Sequence, residues 1–265
     1  MLNDKERYLF DLTGYLLIED VLSPAELREL NALIDGYDVW EQHGNSRVQP
    51  ESLGLKRSEN KVSVDPLHKW GEPFRRLIDH PRVLPYLVEL IGPQFRYDHG
   101  YAIFMKKGGE KLRLHGGATP YEPGMFYHCY NGRMYNGLIV VTYALTDVGP
   151  GDGGFAVVPG SHKSNFPCPE TYREFEETGP WLQQVPHKAG SAIIFTEALT
   201  HGTWPWTADS ERRALLYKFS PGHMAWARRY PMAADVPDAG WSPQLERILQ
   251  PPHMQARAKV VAGDE

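Results

Sequence analysis

The segment that most constrains the fold is a near-continuous run of β-branched, aliphatic and aromatic residues near the centre of the chain, GLIVVTYALTDV at 137–148. Such a run is typical of a strand whose two faces are both buried. Shorter apolar or alternating segments predict further strands at 97–107, 111–115, 155–158, 192–195 and 212–219. The 25 glycines and 22 prolines suit the many turns that such strands need. From residue 97 onwards the sequence therefore predicts a β fold.

The first third of the chain has a more helical pattern. A short apolar run at 14–18 predicts one strand, and Ser23-Pro24-Ala25-Glu26 then has the signature of a helix-capping box. We expect the helix that it begins to run to about residue 34. Residues 38–64 carry little pattern and are predicted to form a loop. A second helical region is predicted over 66–91, interrupted at a proline and closed by a glycine.

The chain shows no internal repeat, low-complexity segment or linker, which predicts a single domain over 1–265. Within it we expect an N-terminal helical flank (1–93), a barrel core (94–222) and a C-terminal extension (223–265) with a helix near 242–249. Helices come first, and a run of strands that closes on itself follows. The predicted class is mainly β with flanking helices.

Charge and cysteine usage exclude several classes of function. The net charge is −5, so nothing indicates a nucleic-acid or anionic-membrane partner. No apolar run is long enough to cross a membrane, and Asp11 and Glu19 interrupt the apolar N-terminal segments, so no signal peptide is predicted. Cys129 and Cys168 cannot form a disulfide framework, which favours a reducing, cytoplasmic location.

Two histidines and an arginine stand at the ends of predicted strands. His115 ends the segment KLRLH and precedes two glycines, whereas His201 follows the strand GSAIIF and a short turn. Arg212 comes eleven residues after His201 and opens the strand RRALLYKF. In a small barrel these three side chains would converge on the interior.

Three segments carry a family resemblance: GYLLIEDVLSPAELREL from residue 14, GLIVVTYALTDVGPGDGGFAVVPGSHKSNFP at 137–167, and AIIFTEALTHGTWPWTADSERRALLYKF at 192–219. Together they resemble the phytanoyl-CoA dioxygenase-like branch of the Fe(II)/2-oxoglutarate oxygenases. The resemblance implies a double-stranded β-helix, the jelly-roll or cupin-like barrel. It also implies Fe(II), the co-substrate 2-oxoglutarate, molecular oxygen and a small-molecule substrate, with hydroxylation of an aliphatic C–H bond as the expected reaction.

The same resemblance assigns roles to individual residues. His115 and His201 would be the iron ligands, and Arg212 would bind the distal carboxylate of 2-oxoglutarate, a role that suits a forked, permanently charged guanidinium. Arg213 is the competitor for that role, because neighbouring strand residues point to opposite faces. Tyr143 matches a position where the family places an aromatic residue beside the co-substrate, although it is equally interpretable as a core aromatic.

The sequence departs from the family's usual His-x-Asp metal motif, because Gly117 stands where the carboxylate is expected. Three hypotheses follow. Chloride occupies the position vacated at Gly117, as in the related halogenases; or a carboxylate from elsewhere, Glu122 or Glu110, completes the iron site of a hydroxylase; or the barrel binds a ligand without turnover.

Two other histidines need an interpretation. His128 is an alternative first ligand, with Tyr130 in the place of the carboxylate, but the segment IFMKKGGEKLRLH resembles the strand, loop and strand that precede the family's first histidine. We therefore retain His115. His162, within PGSHK, is predicted to stabilise a turn rather than to bind metal.

Overall fold

The computed structural model describes residues 2–37, 39–40 and 56–261. The α-helices of this part are α1 (Asp4–Thr13), α2 (Pro24–Gly36), α3 (Glu72–Arg75), α4 (Leu84–Leu90), α5 (Glu170–Arg173) and α6 (Pro243–Ile248). Its strands are β1 (Tyr15–Ile18), β2 (Lys56–Ser58), β3 (Lys61–Val64), β4 (Arg96–Met105), β5 (Leu112–His115), β6 (Tyr127–Tyr130), β7 (Arg133–Asn136), β8 (Ile139–Ala144), β9 (Gly154–Val157), β10 (Gln183–Gln184), β11 (Ala192–Thr196), β12 (His201–Trp204) and β13 (Arg212–Ser220). Among these residues, no helix is both long and apolar enough for a bilayer crossing.

Two antiparallel sheets form the body of the fold. The larger has the strand order β1-β11-β8-β13-β4-β3-β2 and the smaller the order β10-β9-β12-β5, while β6 and β7 form a separate hairpin. Side chains of both sheets meet in one interior, where the ring of Phe155 on β9 lies 4.7 Å from that of Phe195 on β11. The predicted mainly-β, jelly-roll class is confirmed by this topology.

Strand β8 shows how one strand contributes to two cores. Val141 and Tyr143 pack in the core that the helices cover, whereas Val140 and Thr142 face the space between the two sheets. Every residue of β8 is buried. The buried strand predicted within 137–148 is therefore confirmed, and it is apolar on both faces because helices cover one and the smaller sheet covers the other.

Side-chain caps determine where the first two helices begin. Ser23 accepts a hydrogen bond from the backbone N–H of Glu26, and the Glu26 carboxylate accepts one from Ser23, so the predicted capping box is confirmed. Asn3 and Glu6 form the same box at the start of α1, a helix that the sequence analysis did not predict.

The N-terminal flank contributes strands as well as helices. Strand β1 extends one edge of the larger sheet by pairing with β11, and β2 and β3 extend the other through β4. The prediction of a loop over 38–64 is therefore wrong from residue 56 onwards, because Val62 and Val64 are buried alternate residues of a strand too short to give a clear periodicity. Residues 38 and 41–55 lie outside the described part.

The predicted helical region at 66–91 is broken into three pieces, a 3₁₀ turn at Leu67–Lys69 and the helices α3 and α4. Prolines at 66, 73, 81 and 85 explain the breaks, since proline cannot donate an intrahelical hydrogen bond.

The C-terminal extension packs on the start of β4. Asp98 accepts hydrogen bonds from the backbone N–H groups of Trp226 (2.8 Å) and Ala227 (3.0 Å), and Arg257 Nε donates to the carbonyl of Gln94 (2.9 Å). Helix α6 confirms the predicted terminal helix.

His162 links the PGSHK turn to α1, as the turn interpretation predicts. Its Nε2–H donates to the carbonyl of Asp11 at 3.1 Å, and its ring packs edge-on against Tyr127 at 4.6 Å between centroids. Burial lowers the pKa of His162 from 6.5 to about 4. The folded protein therefore holds this imidazole neutral.

We expect His162 to make the fold sensitive to acid. Below about pH 6.5 the unfolded chain protonates this residue while the folded chain resists, so the free energy of unfolding falls as the pH drops from about 6.5 towards 4. In His162→Gln the fall between pH 7 and pH 5, measured by urea denaturation, should be smaller by about 2 kcal/mol. The exposed His128 offers the control variant His128→Gln, and an equally steep fall in H162Q would contradict the assignment.

Candidate metal and co-substrate site

Two histidines face each other across neighbouring strands of the smaller sheet. His115 ends β5, His201 begins β12, and the two are direct partners in the antiparallel ladder. Directly opposed residues project from the same face of a sheet. Their ring centroids lie 4.2 Å apart. His201 follows a strand and a short turn, as predicted, and it also begins a further strand, β12, which was not predicted.

The backbone orients both imidazole rings. His115 Nδ1 lies 3.1 Å from the carbonyl of Arg113, and His201 Nδ1 lies 2.7 Å from that of Leu199. A carbonyl only accepts, so each Nδ1 carries the proton and each Nε2 keeps a free lone pair. Burial lowers the pKa of both histidines, and that of His201 falls to about 3 because His115 also lies beside it. Both rings are therefore neutral at pH 7, the form that binds metals.

A carboxylate that the sequence analysis missed completes the group. Glu197 offers an oxygen that lies within 4.8 Å of a ring nitrogen of both His115 and His201. Its side chain is buried and forms an ion pair with the ammonium of Lys218. Burial alone would raise the pKa of Glu197, but the charge of Lys218 and its hydrogen bond outweigh that effect, and the pKa falls to about 2. The group is thus two imidazoles and an ionised carboxylate.

One local signal in the sequence was available for Glu197. It is the one charged residue in the otherwise apolar or hydroxyl-bearing stretch AIIFTEALT, four positions before His201. A glutamate in such a stretch is seldom buried without a partner. The partner, Lys218 on β13, could not be inferred from spacing.

Arg212 enters the same interior from the larger sheet. It lines one cavity together with His115, Glu197 and His201. Its Nη1 contacts the sulfur of Met105 at 3.5 Å, and its Nε has no hydrogen-bond partner among the described residues. Burial lowers the pKa of Arg212 to about 10, so the guanidinium is still charged at pH 7. A buried guanidinium in this state calls for an anionic ligand.

Arg213, the competitor, points the opposite way. It donates to Asp35 at 2.6 Å and to Glu211 at 3.1 Å on the outer side of the sheet. The alternation of strand side chains thus brings Arg212, and not Arg213, to the interior cavity.

Tyr143 does not lie beside this cavity, and the expectation of a co-substrate contact is corrected. Its hydroxyl donates to the carbonyl of Leu77 at 2.8 Å, and its ring packs edge-on against Tyr217. Its neighbour on β8, Thr142, lines the cavity instead. The reason is again strand alternation, so Tyr143 is the core aromatic of the alternative interpretation.

The structure does not bring the other candidates to the two histidines. Glu110 is exposed before β5, and Glu122 lines only an outer cleft. His128 is exposed on β6, where it stacks on Phe126 at 5.5 Å. The carboxylate therefore comes from elsewhere, as one hypothesis expected, but neither predicted residue supplies it.

Arg212 does not line the outer cleft, which has a volume of about 530 Å³. Its wall includes Gly117, Glu122, Arg173, Lys218 and Trp226. His115 and Glu197 line both this cleft and the interior cavity. The group of two imidazoles and a carboxylate therefore stands at the junction of the two spaces.

Comparison with known sequences identifies relatives. Residues 10–214 match the family described as Phytanoyl-CoA dioxygenase (PhyH). An ectoine dioxygenase of Nocardia farcinica is 26% identical over 218 residues, which cover 73% of this chain and 70% of the relative. An ectoine dioxygenase of Streptomyces anulatus is 28% identical over 166 residues, which cover 60% of this chain and 51% of the relative.

Comparison with solved structures finds the same architecture. HygX from Streptomyces hygroscopicus, in a crystal structure with nickel and 2-oxoglutarate bound, superposes with a TM-score of 0.72 at 25% identity. The match covers 86% of this chain and 90% of HygX. The epimerase SnoN from nogalamycin biosynthesis, at 17% identity and a TM-score of 0.60 over 83% of each chain, shares the fold.

The position of Tyr143 gives a prediction. In Tyr143→Phe the buried carbonyl of Leu77 loses its donor, so the free energy of unfolding should fall by about 1–2 kcal/mol. The affinity for 2-oxoglutarate, measured by calorimetry, should stay unchanged because the hydroxyl points away from the cavity. A variant with normal stability and weakened 2-oxoglutarate binding would instead support a contact between Tyr143 and the co-substrate.

Proposed function

The chain belongs to the phytanoyl-CoA dioxygenase family, and on that premise we propose that it hydroxylates an aliphatic carbon of a small molecule, with His115 and His201 as iron ligands. It is an Fe(II)- and 2-oxoglutarate-dependent oxygenase. The observation that carries the assignment of residues is the convergence, on a single buried cavity, of two neutral imidazoles and one guanidinium whose Nε has no hydrogen-bond partner among the described residues.

The residues of the junction fit an Fe(II) ion. One ring nitrogen of each histidine and one carboxylate oxygen, all within 4.8 Å of one another, match the donor set of non-haem iron oxygenases. Both rings are already held by backbone carbonyls, so little ordering entropy remains to be lost when a metal binds.

The residues of the interior cavity suit one end of the co-substrate, although the cavity itself, at about 30 Å³, must widen to hold the whole molecule. 2-Oxoglutarate has a carboxylate at the end away from its keto acid, and that group needs a fixed cationic partner. Arg212 offers a forked guanidinium whose Nε is unpartnered among the described residues, in the cavity that His115 and His201 share. Phe155 and Phe195 in the wall of that cavity keep water out, which strengthens the pairing.

When bound, Fe(II) would activate molecular oxygen, the oxidant: one oxygen atom would enter the succinate that forms as 2-oxoglutarate loses carbon dioxide, and the other would be inserted into the C–H bond of the substrate. The protein holds the reactants and excludes water. Because His115 lines both spaces, the co-substrate would occupy the Arg212 side and the substrate the outer cleft. The cleft walls carry both signs of charge, from Glu122 and Arg173, and an aromatic face, from Trp226.

We also place the protein in the cytoplasm. Both cysteines of the chain are free thiols, Cys129 exposed and Cys168 partly buried, a state that a reducing compartment maintains.

The first test is spectroscopic. Anaerobic addition of Fe(II) and 2-oxoglutarate to the purified protein should produce the weak visible charge-transfer band of the chelate. Absence of the band at saturating concentrations would support a barrel that binds a ligand without turnover.

The second test compares the neighbouring arginines. In Arg212→Gln the 2-oxoglutarate carboxylate loses a charge-assisted hydrogen bond, and its Kd, measured by titrating the visible band, should rise by about 10–100-fold. In Arg213→Gln, the matched control on the outer face, the Kd should change by less than about threefold. Equal losses in the two variants would contradict the assignment.

A further inference from the structure

Two glycines after His115 take a backbone path that few other residues could follow. Gly116 has φ of +74° and Gly117 has φ of +107°, both in the left-handed region. A Cβ on Gly116 would lie 2.5 Å from the carbonyl oxygens of Glu197 and Leu199. The turn between β11 and β12 therefore packs directly on the backbone of Gly116, which any side chain there would prevent.

This turn is held by one hydrogen bond within itself and by two to neighbouring segments. The N–H of Glu197 donates to the carbonyl of Leu138 at 2.9 Å, and that of Leu199 donates to Thr196 at 2.9 Å. The N–H of Thr200 donates to the hydroxyl of Ser161 at 2.7 Å. The backbone that carries Glu197 is thus fixed to the residue before β8 and to the turn at Ser161.

The Glu197 carboxylate uses its two oxygens differently. Lys218 bonds Oε1, which leaves Oε2 for another partner. One carboxylate oxygen lies within 4.8 Å of a ring nitrogen of each imidazole, and Glu197 is 4% exposed. Lys218 also lies 5.6 Å from the ring of Tyr101, which holds its ammonium in place.

We propose that Glu197 is the third protein ligand of the iron and that its carboxylate takes the place of the one that the Gly116-Gly117 loop lacks. The family's carboxylate is lost from the loop after the first histidine. The side-chain-free loop lets the β11–β12 turn approach, and that turn supplies a carboxylate from the other side. The inference rests on the proposed function.

A reaction outcome follows from this exchange. Two imidazoles and a carboxylate would leave room on an iron ion for 2-oxoglutarate and oxygen alone. No position would remain for chloride. Gly117 therefore indicates that the carboxylate comes from elsewhere in the chain and that the enzyme is a hydroxylase, not a halogenase. Lys218 is a positioning residue, since it orients the carboxylate without contacting the metal.

The competing explanation is that Glu197 serves only as counter-ion to Lys218. Three variants separate the two: Glu197→Gln, Lys218→Met and the double variant. Fe(II) affinity of each apoprotein is measured anaerobically by calorimetry with Fe(II) alone, and thermal unfolding of the apoproteins is measured in parallel.

If Glu197 is a ligand, E197Q loses Fe(II) affinity by about 100-fold, since even outer partners of metal ligands change affinity by about 10–100-fold. K218M lowers the apoprotein Tm, because it leaves a buried carboxylate unpaired, yet it keeps Fe(II) affinity, since the metal then compensates that charge. The double variant regains apoprotein stability but not Fe(II) affinity. If the double variant binds Fe(II) as the wild type does, the proposal is overturned.

Glu122→Gln is the matched control, because this carboxylate lines the outer cleft without belonging to the cluster. Its Fe(II) affinity should stay within about threefold of the wild type, and a loss equal to that of E197Q would overturn the assignment of the ligand. Chloride titration adds a second readout: the visible band of the wild-type Fe(II)–2-oxoglutarate complex should not respond, whereas that of Glu197→Ala should. A response in the wild type would also overturn the proposal.

These measurements separate the inference from its premise. A wild-type protein that binds neither Fe(II) nor 2-oxoglutarate would refute the proposed function as a whole. A wild-type protein that binds both, with E197Q unaffected, would refute only the role of Glu197.

Discussion

The direct pairing of His115 with His201 across two antiparallel strands is the contact on which the site depends. Opposed residues of a ladder share one face and one spacing, so the two imidazoles reach the same point whenever β5 and β12 are in register. A shift of one residue would turn one ring to the other face of the sheet. The backbone hydrogen bonds of the smaller sheet therefore determine the geometry of the candidate metal site.

Burial of charge is the second constraint, and it explains the partners of each charged group. Lys218 neutralises Glu197 between the sheets, and the ion pair lets a carboxylate stay ionised there. Arg212 has no such partner among the described residues, so its burial is favourable only when an anion enters the cavity. An arginine with a purely structural role is more stable when it pairs with carboxylates near the surface, as Arg213 does with Asp35 and Glu211.

Local sequence patterns predicted most of the fold. The capping box at Ser23 and Glu26 gave the start of α2, and the apolar run at 137–148 gave the central strand. The patterns failed where elements are short or interrupted: β3 has only four residues, and proline breaks the predicted helix over 66–91. At the site, the residue types and spacing pointed to His115, His201 and Arg212, which the structure brings to one cavity. The choice of Arg212 over Arg213 needed the phase of β13, which spacing alone leaves open.

The sequence by itself determined which segments become strands and which residues have metal-binding or anion-binding side chains, because periodicity and side-chain chemistry are local properties. Only the tertiary structure decided that Tyr143 faces the helices and that Glu197, not Glu122 or Glu110, stands beside the histidines. The reason is physical. The carboxylate of Glu197 comes close to the histidines because its turn packs against two glycines that are distant in the sequence. Such a contact produces no periodic pattern of residues.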